Sequence, residues 1–154
     1  MAEVPVRVWR VGRNSESQYL LVLRDEEGND LAMTIGPCEA FAIWAALKPE
    51  ALEELPRRPG THDLLCALMS RLGGRLTKVV IDDLWNEVYF AKLHLAVDGE
   101  TITVDTRPSD AVALALRVGA PLYAVDAVMD AAAGDSDAPG PPPDPGPTLD
   151  LDDL

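Results

Sequence analysis

The sequence predicts an α+β domain made of two internally duplicated strand-strand-strand-helix units, with antiparallel hairpins and one inserted helix. Short apolar runs separated by turn residues are typical of strands. Two longer apolar runs begin at a proline, Pro37 and Pro108, which suits the first position of a helix. The chain also aligns with itself, without a gap, when Pro37 is placed on Pro108. Self-similarity of this kind is typical of a duplicated structural unit.

The self-alignment extends over the whole of each unit. It pairs Tyr19 with Phe90, Gly28 with Gly99, Met33 with Val104, Glu39 with Asp110 and Ile43 with Leu114. A second interpretation stays open, in which two unrelated units share only common turn and helix-cap chemistry.

The first unit contains three predicted strands and a helix. Val4, Val6 and Val8 alternate with polar residues, which predicts a strand with one buried face. The other predicted elements are a central strand over Tyr19–Leu23, a hairpin over Asp25–Asp30, a strand through Leu31, Met33 and Ile35, and a helix from Pro37 to Leu47.

A segment without a counterpart in the second unit follows, from Lys48 to Gly74. It contains the inserted helix, with Thr61 predicted as its N-cap. The residues predicted to form its buried face are Leu64, Leu65, Leu68, Met69 and Leu72.

The second unit repeats the order of the first. Its predicted strands are Arg75–Ile81, Val88–Val97 and Thr101–Asp105, its helix runs from Pro108 to about Val118 and ends at Gly119, and a strand over Leu122–Val125 with a short helix around Ala127–Ala132 completes the domain. Asp82 and Asp83 are predicted to be turn residues after the first of these strands.

The helices that start at Pro37 and Pro108 are apolar on nearly every side. Such helices are buried, either between layers of one chain or at a subunit interface. Because two of them are hard to cover in a domain of this size, the sequence predicts a homo-oligomer, most simply a dimer.

The charge of the chain is unevenly distributed. The net charge is -13, and six of the acidic residues lie in the Pro-rich segment from Gly134 to Leu154. This composition predicts a folded domain over residues 1–133 and a disordered acidic tail over 134–154. Leucine and aspartate alternate in Thr148–Leu154, so the tail either docks on a protein partner or only adds solubility.

Composition also bears on the location of the protein. No apolar run is long enough to span a membrane, and the first residues lack the apolar run of a signal peptide. We therefore expect a cytoplasmic protein. Cys38 and Cys66 are too few and too far apart for a disulfide framework, so both are expected to be reduced and mostly buried.

Three blocks of the sequence resemble the bifunctional nuclease family. They are IGPCEAFAI at Ile35–Ile43, RPGTHDLL at Arg58–Leu65 and VDTRPSDAVALALRVGAPLY at Val104–Tyr123, and the resemblance extends over about residues 3–131. It implies an α+β domain that cleaves both DNA and RNA. The catalytic residues have to be argued from the chain itself.

Comparison of the two units separates charges that the fold requires from charges that it does not. Asp110 and Glu39 occupy equivalent positions in the first helical turn, where a carboxylate can accept hydrogen bonds from free backbone N-H groups. For Asp110 a structural role is therefore as well supported as a catalytic one. Asp105 and Arg107 have uncharged counterparts in the first unit. A charged pair beside a helix N-terminus suits a phosphate or a metal ion, although a salt bridge between the two explains it equally well.

The start of the inserted helix provides further candidates. Arg58 is a candidate phosphate ligand, and His62 is a candidate general acid or base near neutral pH. The alternative for Asp63 is compensation of the helix dipole, and for His62 simple packing against the preceding loop.

Together these residues predict a nuclease site. We expect Asp105, Asp63 and Asp110 to bind Mg²⁺ or Mn²⁺, Arg58 and Arg107 to bind the phosphate, and His62, together with Asp105, Arg107 and Arg58, to be catalytic. The two segments must meet in space for this to hold. The acidic domain lacks the basic stripe expected of a DNA- or RNA-binding protein, so a non-catalytic oligomeric module that binds a small anionic ligand or a protein partner is the alternative.

Overall fold

The structure, a computed structural model, describes residues 2–55 and 57–134. Within this part the chain forms one mixed sheet with α-helices packed on it, which confirms the α+β class. In chain order the elements are β1 (Glu3–Arg13), β2 (Tyr19–Asp25), β3 (Asp30–Ile35), α1 (Pro37–Leu47), a short 3-10 helix (Pro49–Leu52), α2 (Thr61–Arg71), β4 (Gly74–Trp85), β5 (Val88–Val97), β6 (Glu100–Thr106), α3 (Pro108–Val118), β7 (Leu122–Val125) and α4 (Asp126–Gly134).

The sheet has the strand order β3-β2-β1-β7-β4-β5-β6. Its two antiparallel meanders, β1-β2-β3 and β4-β5-β6, are joined by β7, which runs antiparallel to β1 and parallel to β4. A late, short strand therefore connects the two units into one continuous sheet.

Both halves have the connectivity that the self-alignment predicts. Each is a meander followed by a helix that starts at a proline, and Gly28 and Gly99 both have positive φ in the hairpin before the third strand. In the second half, Asp98 and Gly99 both have positive φ, which a two-residue turn between twisted strands requires. Duplication of one ancestral unit stays a prediction.

Helix α3 lies at the centre of the helical layer. It packs on β4 and β5 and contacts α1 on one side and α2 on the other. Ala111 to Ala115 are at most 3% exposed. Because α1 and α3 are covered within one chain, the reason given for expecting a homo-oligomer no longer holds, and the oligomeric state stays a prediction that light scattering can test.

The prediction of a buried leucine face on α2 is wrong. Leu64, Leu65, Leu68 and Leu72 are 55%, 40%, 48% and 79% exposed, while Met69 is half-buried. The spacing of these leucines correctly places them on one side of a helix, but no element of the described chain covers that side.

Local features of three predicted elements also differ. The N-cap of α2 is Gly60 instead of Thr61, and the Asp63 carboxylate accepts the Gly60 N-H at 2.8 Å. Asp82 and Asp83 lie within β4 because a register shift at this point lets the strand continue to Trp85. Cys38 and Cys66 are both free thiols, as predicted, but Cys38 is exposed and Cys66 is half-buried, so the prediction of mostly buried cysteines is wrong for Cys38.

Some expectations lie outside the described residues. The acidic tail does so from residue 135 onward, and with it the boundary of the folded domain and the docking of Thr148–Leu154. Among the described helices, none has the length and apolar character needed to cross a membrane.

Candidate active site at three helix starts

Side chains from the N-terminal ends of α1, α2 and α3 are joined through Asp110 and Arg107. Oδ1 of Asp110 lies 2.9 Å from Nε2 of His62, and its Oδ2 accepts a 2.8 Å hydrogen bond from Nε of Arg107. His62 is the second residue of α2, and Asp110 is the third residue of α3. The two segments that had to meet for a site to form therefore do meet, through side chains 48 positions apart.

The first unit contributes to the same cluster through Glu39. Its Oε1 lies 3.0 Å from Nη2 of Arg107, so the guanidinium is held between Glu39 of α1 and Asp110 of α3. Glu39 was expected to be only a helix cap. Alignment with Asp110 was the sequence signal that could have identified it, because both carboxylates sit at the start of helices that pack together.

The members of this cluster differ in exposure. The side chain of His62 is 11% exposed, Glu39 17% and Asp110 24%, whereas Arg107 is 65% exposed. Two of the five guanidinium N-H groups point at carboxylates. The remaining donors of Arg107 are accessible to an anion, while the imidazole is shielded from most solvent.

Hydrogen bonding holds Asp110 in its ionised form. Partial burial by itself would raise the pKa of this carboxyl, but the hydrogen bonds from Arg107 and His62 outweigh it, and the pKa lies below its ordinary value. The hydrogen bond to Asp110, with the charge of that carboxylate, raises the pKa of Arg107. Both shifts favour the charged forms of Asp110 and Arg107, so the pair is held as carboxylate and guanidinium beside the imidazole of His62.

Asp63 has a different partner and a structural role. Its Oδ1 accepts a 2.8 Å hydrogen bond from Nε of Arg117, whose Nη1 donates to the carbonyl oxygens of Ala42 and Ala113. Burial favours a higher pKa for Asp63, but the hydrogen bonds from Arg117 and from the Gly60 N-H lower it overall. This network fixes the start of α2 against α1 and α3 and so positions His62.

Two predicted site residues lie outside the cluster. Asp105, on β6, is opposite Lys92 of β5, with 3.6 Å between Nζ and Oδ1, and its side chain is 89% exposed. The same Lys92 ammonium is paired with Asp82. Arg58 is exposed and makes no hydrogen bond or ion pair with the described residues. The salt bridge considered between Asp105 and Arg107 is not formed.

Each of the three predicted metal ligands lies beside a basic side chain. Asp63 is bound by Arg117, Asp110 by Arg107 and His62, and Asp105 faces Lys92. Among residues 2–55 and 57–134 there is no group of three His, Cys, Asp or Glu side chains that could hold a metal ion. The three carboxylates as arranged do not fit a Mg²⁺ or Mn²⁺ site.

A surface cavity of about 350 Å³ lies elsewhere, between α2, the start of β4 and the turn from α3 to β7. Cys66, Met69 and Val118 line it, and Val118 ends the helix that Pro108 begins. The cluster around Asp110 is thus at the opposite end of α3 and opens onto the protein surface through Arg107.

Comparison with known proteins agrees with these motifs. A model of the bifunctional nuclease domain matches residues 21–137. An uncharacterized protein of Mycobacterium tuberculosis (strain ATCC 25618 / H37Rv) is 42% identical over 130 residues, which cover 84% of this chain and 74% of the relative.

Two rice proteins carry a functional name. Bifunctional nuclease 1 of Oryza sativa subsp. japonica and bifunctional nuclease of Oryza minuta are each 32% identical over 121 residues, which cover 75% of this chain but only 35% of each rice protein. The segment matched by the family model, residues 21–137, includes the three helix starts that form the cluster, and the chain belongs to the bifunctional nuclease domain family.

Proposed function

We propose that this domain hydrolyses phosphodiester bonds in DNA and RNA, and that His62, Asp110 and Arg107 form its active centre. One observation carries the proposal: the 2.9 Å contact between His62 and Asp110 joins two distant motifs beside an exposed arginine, in a chain of the nuclease family. An imidazole, a carboxylate and a guanidinium are the groups that proton transfer and phosphate binding need.

In this proposal Asp110 selects the tautomer of His62. An ionised carboxylate only accepts hydrogen bonds, so the N-H of His62 is on Nε2 and donates a hydrogen bond to Asp110. The other ring nitrogen, Nδ1, is then the one that takes a proton from the attacking hydroxyl and returns it to the leaving oxygen. The carboxylate also stabilises the imidazolium formed between these two steps.

Arg107 is the phosphate-binding residue of this proposal. Its position between Glu39 and Asp110 fixes the plane of the guanidinium, and its free donors can bind the nonbridging oxygens on which charge accumulates. The N-terminal ends of three helices add positive potential at the same place.

One arrangement can act on both polymers. In RNA the neighbouring 2′-hydroxyl is available as nucleophile, whereas in DNA a water molecule has to attack the phosphorus. Both nucleophiles lose a proton during attack, so the same imidazole can serve in each reaction. Dependence on Mg²⁺ or Mn²⁺ is a separate proposal, because the described carboxylates do not form a three-ligand site.

The test is cleavage of a supercoiled plasmid and of a structured RNA by highly purified protein. We expect His62→Gln, which keeps an N-H donor for Asp110 but cannot transfer a proton, to lower both rates by about 100-fold or more. Asp105→Asn is the matched control, because it changes an exposed carboxylate outside the cluster, and it should keep cleavage within about threefold.

Full activity of His62→Gln would refute the assignment of His62. An equal loss of cleavage in Asp105→Asn would place the active site at β6 instead. Assays with EDTA and with added Mn²⁺ test the metal separately. If all variants cleave equally, the activity comes from a contaminant, and the binding-module alternative is favoured.

A further inference from the structure

A basic and aromatic surface lies on β1 and β2, outside the candidate active site. Arg7, Arg10 and Arg13 follow one another at intervals of three residues on β1, in a chain whose net charge is -13. An unbroken strand would turn such residues alternately to its two faces. Their grouping therefore depends on an irregularity of β1.

The irregularity is a β-bulge at Trp9. Val8 is opposite Leu23 and Arg10 is opposite Val22, so Trp9 is an extra residue in β1. Val22 shares its face of β2 with Arg24, and Arg24 is opposite Arg7. The bulge thus brings Arg10 to the face that carries the Arg7 and Arg24 pair, instead of the face that contains Leu21 and Leu23.

The ring of Trp9 contacts the guanidinium groups of two arginines at this surface. The guanidinium carbon of Arg24 lies 3.8 Å from the centre of the Trp9 ring, and that of Arg7 lies 4.9 Å from it. Arg24 is itself held by a two-pronged contact with Asp30, at 2.6 and 2.8 Å. Trp9 is 37% exposed, and its ring packs against Arg24, which the contact with Asp30 holds in place.

The charge of this surface is only partly compensated. Asp30 neutralises Arg24, but in the described part of the chain Arg7 and Arg10 have no carboxylate within ion-pair distance. We call Arg7, Trp9, Arg10 and Arg24 the β1 surface. It combines an ordered aromatic ring with two uncompensated positive charges.

The strand leads toward the candidate active site. Its last residue, Arg13, is opposite Tyr19, and Tyr19 is opposite Ile35, the residue that ends β3 just before α1. Helix α1 then carries Glu39, which contacts Arg107. From Arg7 to Arg13 the strand rises about 20 Å, ending at the side of the sheet where α1 begins.

We propose that the β1 surface binds a single-stranded polynucleotide. Phosphates pair with Arg7 and Arg10, and an unpaired base stacks against the platform formed by Trp9 and Arg24. Alternation of basic groups with an ordered ring is how proteins bind single strands without reading sequence, and a base in a duplex has no free face for such stacking. The idea that this surface delivers the strand to Arg107 for cleavage rests on the proposed nuclease function. The binding of the strand itself does not.

The test is fluorescence anisotropy with labelled 12-residue oligo(dT), oligo(U) and a 12-base-pair DNA duplex. All proteins carry His62→Gln so that no strand is cut. Arg7→Ala/Arg10→Ala should weaken single-strand binding at least tenfold and reduce the salt slope of log K by about 1.4. Trp9→Ala should weaken it by about 5- to 100-fold. The matched control is Arg71→Ala/Arg75→Ala, which removes two exposed arginines elsewhere and should stay within about threefold.

Equal losses in the two double variants would overturn the proposal, because only total charge would then matter. Binding of the duplex as tight as that of oligo(dT) would also overturn it. The oligo(dT) and oligo(U) arms distinguish DNA from RNA as the preferred strand, and either preference supports the surface. A gel of each sample shows whether the oligonucleotides stay intact, so failure of the nuclease proposal leaves the binding result readable.

Discussion

The two halves of the molecule have the same connectivity but different charges at equivalent positions. Where the second half has Asp105, Arg107 and Arg117, the first half has Thr34, Gly36 and Ala46. The first half has the same strand-helix connectivity without these charges, so the repeated unit itself does not require them. The three side chains nevertheless lie in different places. Arg107 is part of the candidate active site, Arg117 holds α2 through Asp63, and Asp105 lies on the exposed part of the sheet.

The starts of α1 and α3 show how the halves combine. Gly36 and Arg107 are the equivalent N-cap residues. A Cβ atom on Gly36 would overlap the Glu39 carboxylate, which occupies the space beside it. The glycine thus leaves room for the acid that holds Arg107, and the site is asymmetric although its scaffold is repeated.

The largest effect is expected when the N-cap of α3 is made identical to that of α1, by Arg107→Gly. Glycine is tolerated at an N-cap, so the helix should form, while the phosphate loses its main ligand. We expect cleavage of DNA and RNA to fall about 100-fold, measured as initial rates on purified protein.

Asp105→Thr is the control for this substitution, because it also gives the second half a first-half residue. It should leave cleavage within about threefold. If Asp105→Thr were as damaging as Arg107→Gly, the sequence-based assignment of Asp105 would be right and the geometric one wrong.

The second effect concerns stability. Arg117→Ala introduces the first-half residue Ala46, leaves the half-buried Asp63 carboxylate without its guanidinium partner and removes the side-chain donor from two backbone carbonyls. We expect the free energy of unfolding, from urea titration, to fall by about 2 to 4 kcal/mol. Cleavage should fall as well, because the start of α2 carries His62. An unchanged midpoint would show that α2 is held by other contacts.

The third effect is smaller and comes from the first half. Gly36→Ala should displace Glu39, loosen Arg107 and lower cleavage about tenfold, at a stability cost of about 1 kcal/mol or less. Gly60→Ala is the matched control, since a Cβ there would meet Asp63 at an ordinary 3.4 Å. Equal rates for both variants would mean that Glu39 does not position Arg107.

Much of the fold could be predicted because it depends on local patterns. The prolines and the glycine at the ends of α3, the hairpin glycines and the alternation in the strands each have a local physical cause. No local pattern indicates that the leucines of α2 are exposed. Periodicity shows which side of a helix is apolar, but only the packing of other elements shows whether that side is covered.

The site was predictable only in part. Sequence reasoning named His62, Arg107 and Asp110, which the structure places in contact, because helix starts gather backbone donors and charged side chains. It did not separate Asp105 from them, although Asp105 belongs to a strand where it faces Lys92. Glu39 was missed because its contact with Arg107 joins the two halves, and no local pattern records such a contact.

The smallest expected effect is the pH dependence of the Asp110 contribution to stability. The folded pKa of Asp110 is lowered, so the stabilisation from its ion pairs is fully present above the unfolded value of about 3.9 and is lost as the pH falls through the folded value. At pH 7, Asp110→Asn should reduce the free energy of unfolding by about 1 kcal/mol, since the pair with Arg107 is partly exposed. Below about pH 4 the wild type progressively loses the same interaction, so the difference between the two proteins should close.

Urea unfolding at pH 7, 5, 4 and 3 measures this difference in the free energy of unfolding. Asp105→Asn, in the exposed part of β6, is the control and should differ little from wild type at every pH. A difference that stayed constant down to pH 3 would mean that Asp110 stabilises the fold by packing or neutral hydrogen bonding, and that its charge does not contribute to stability.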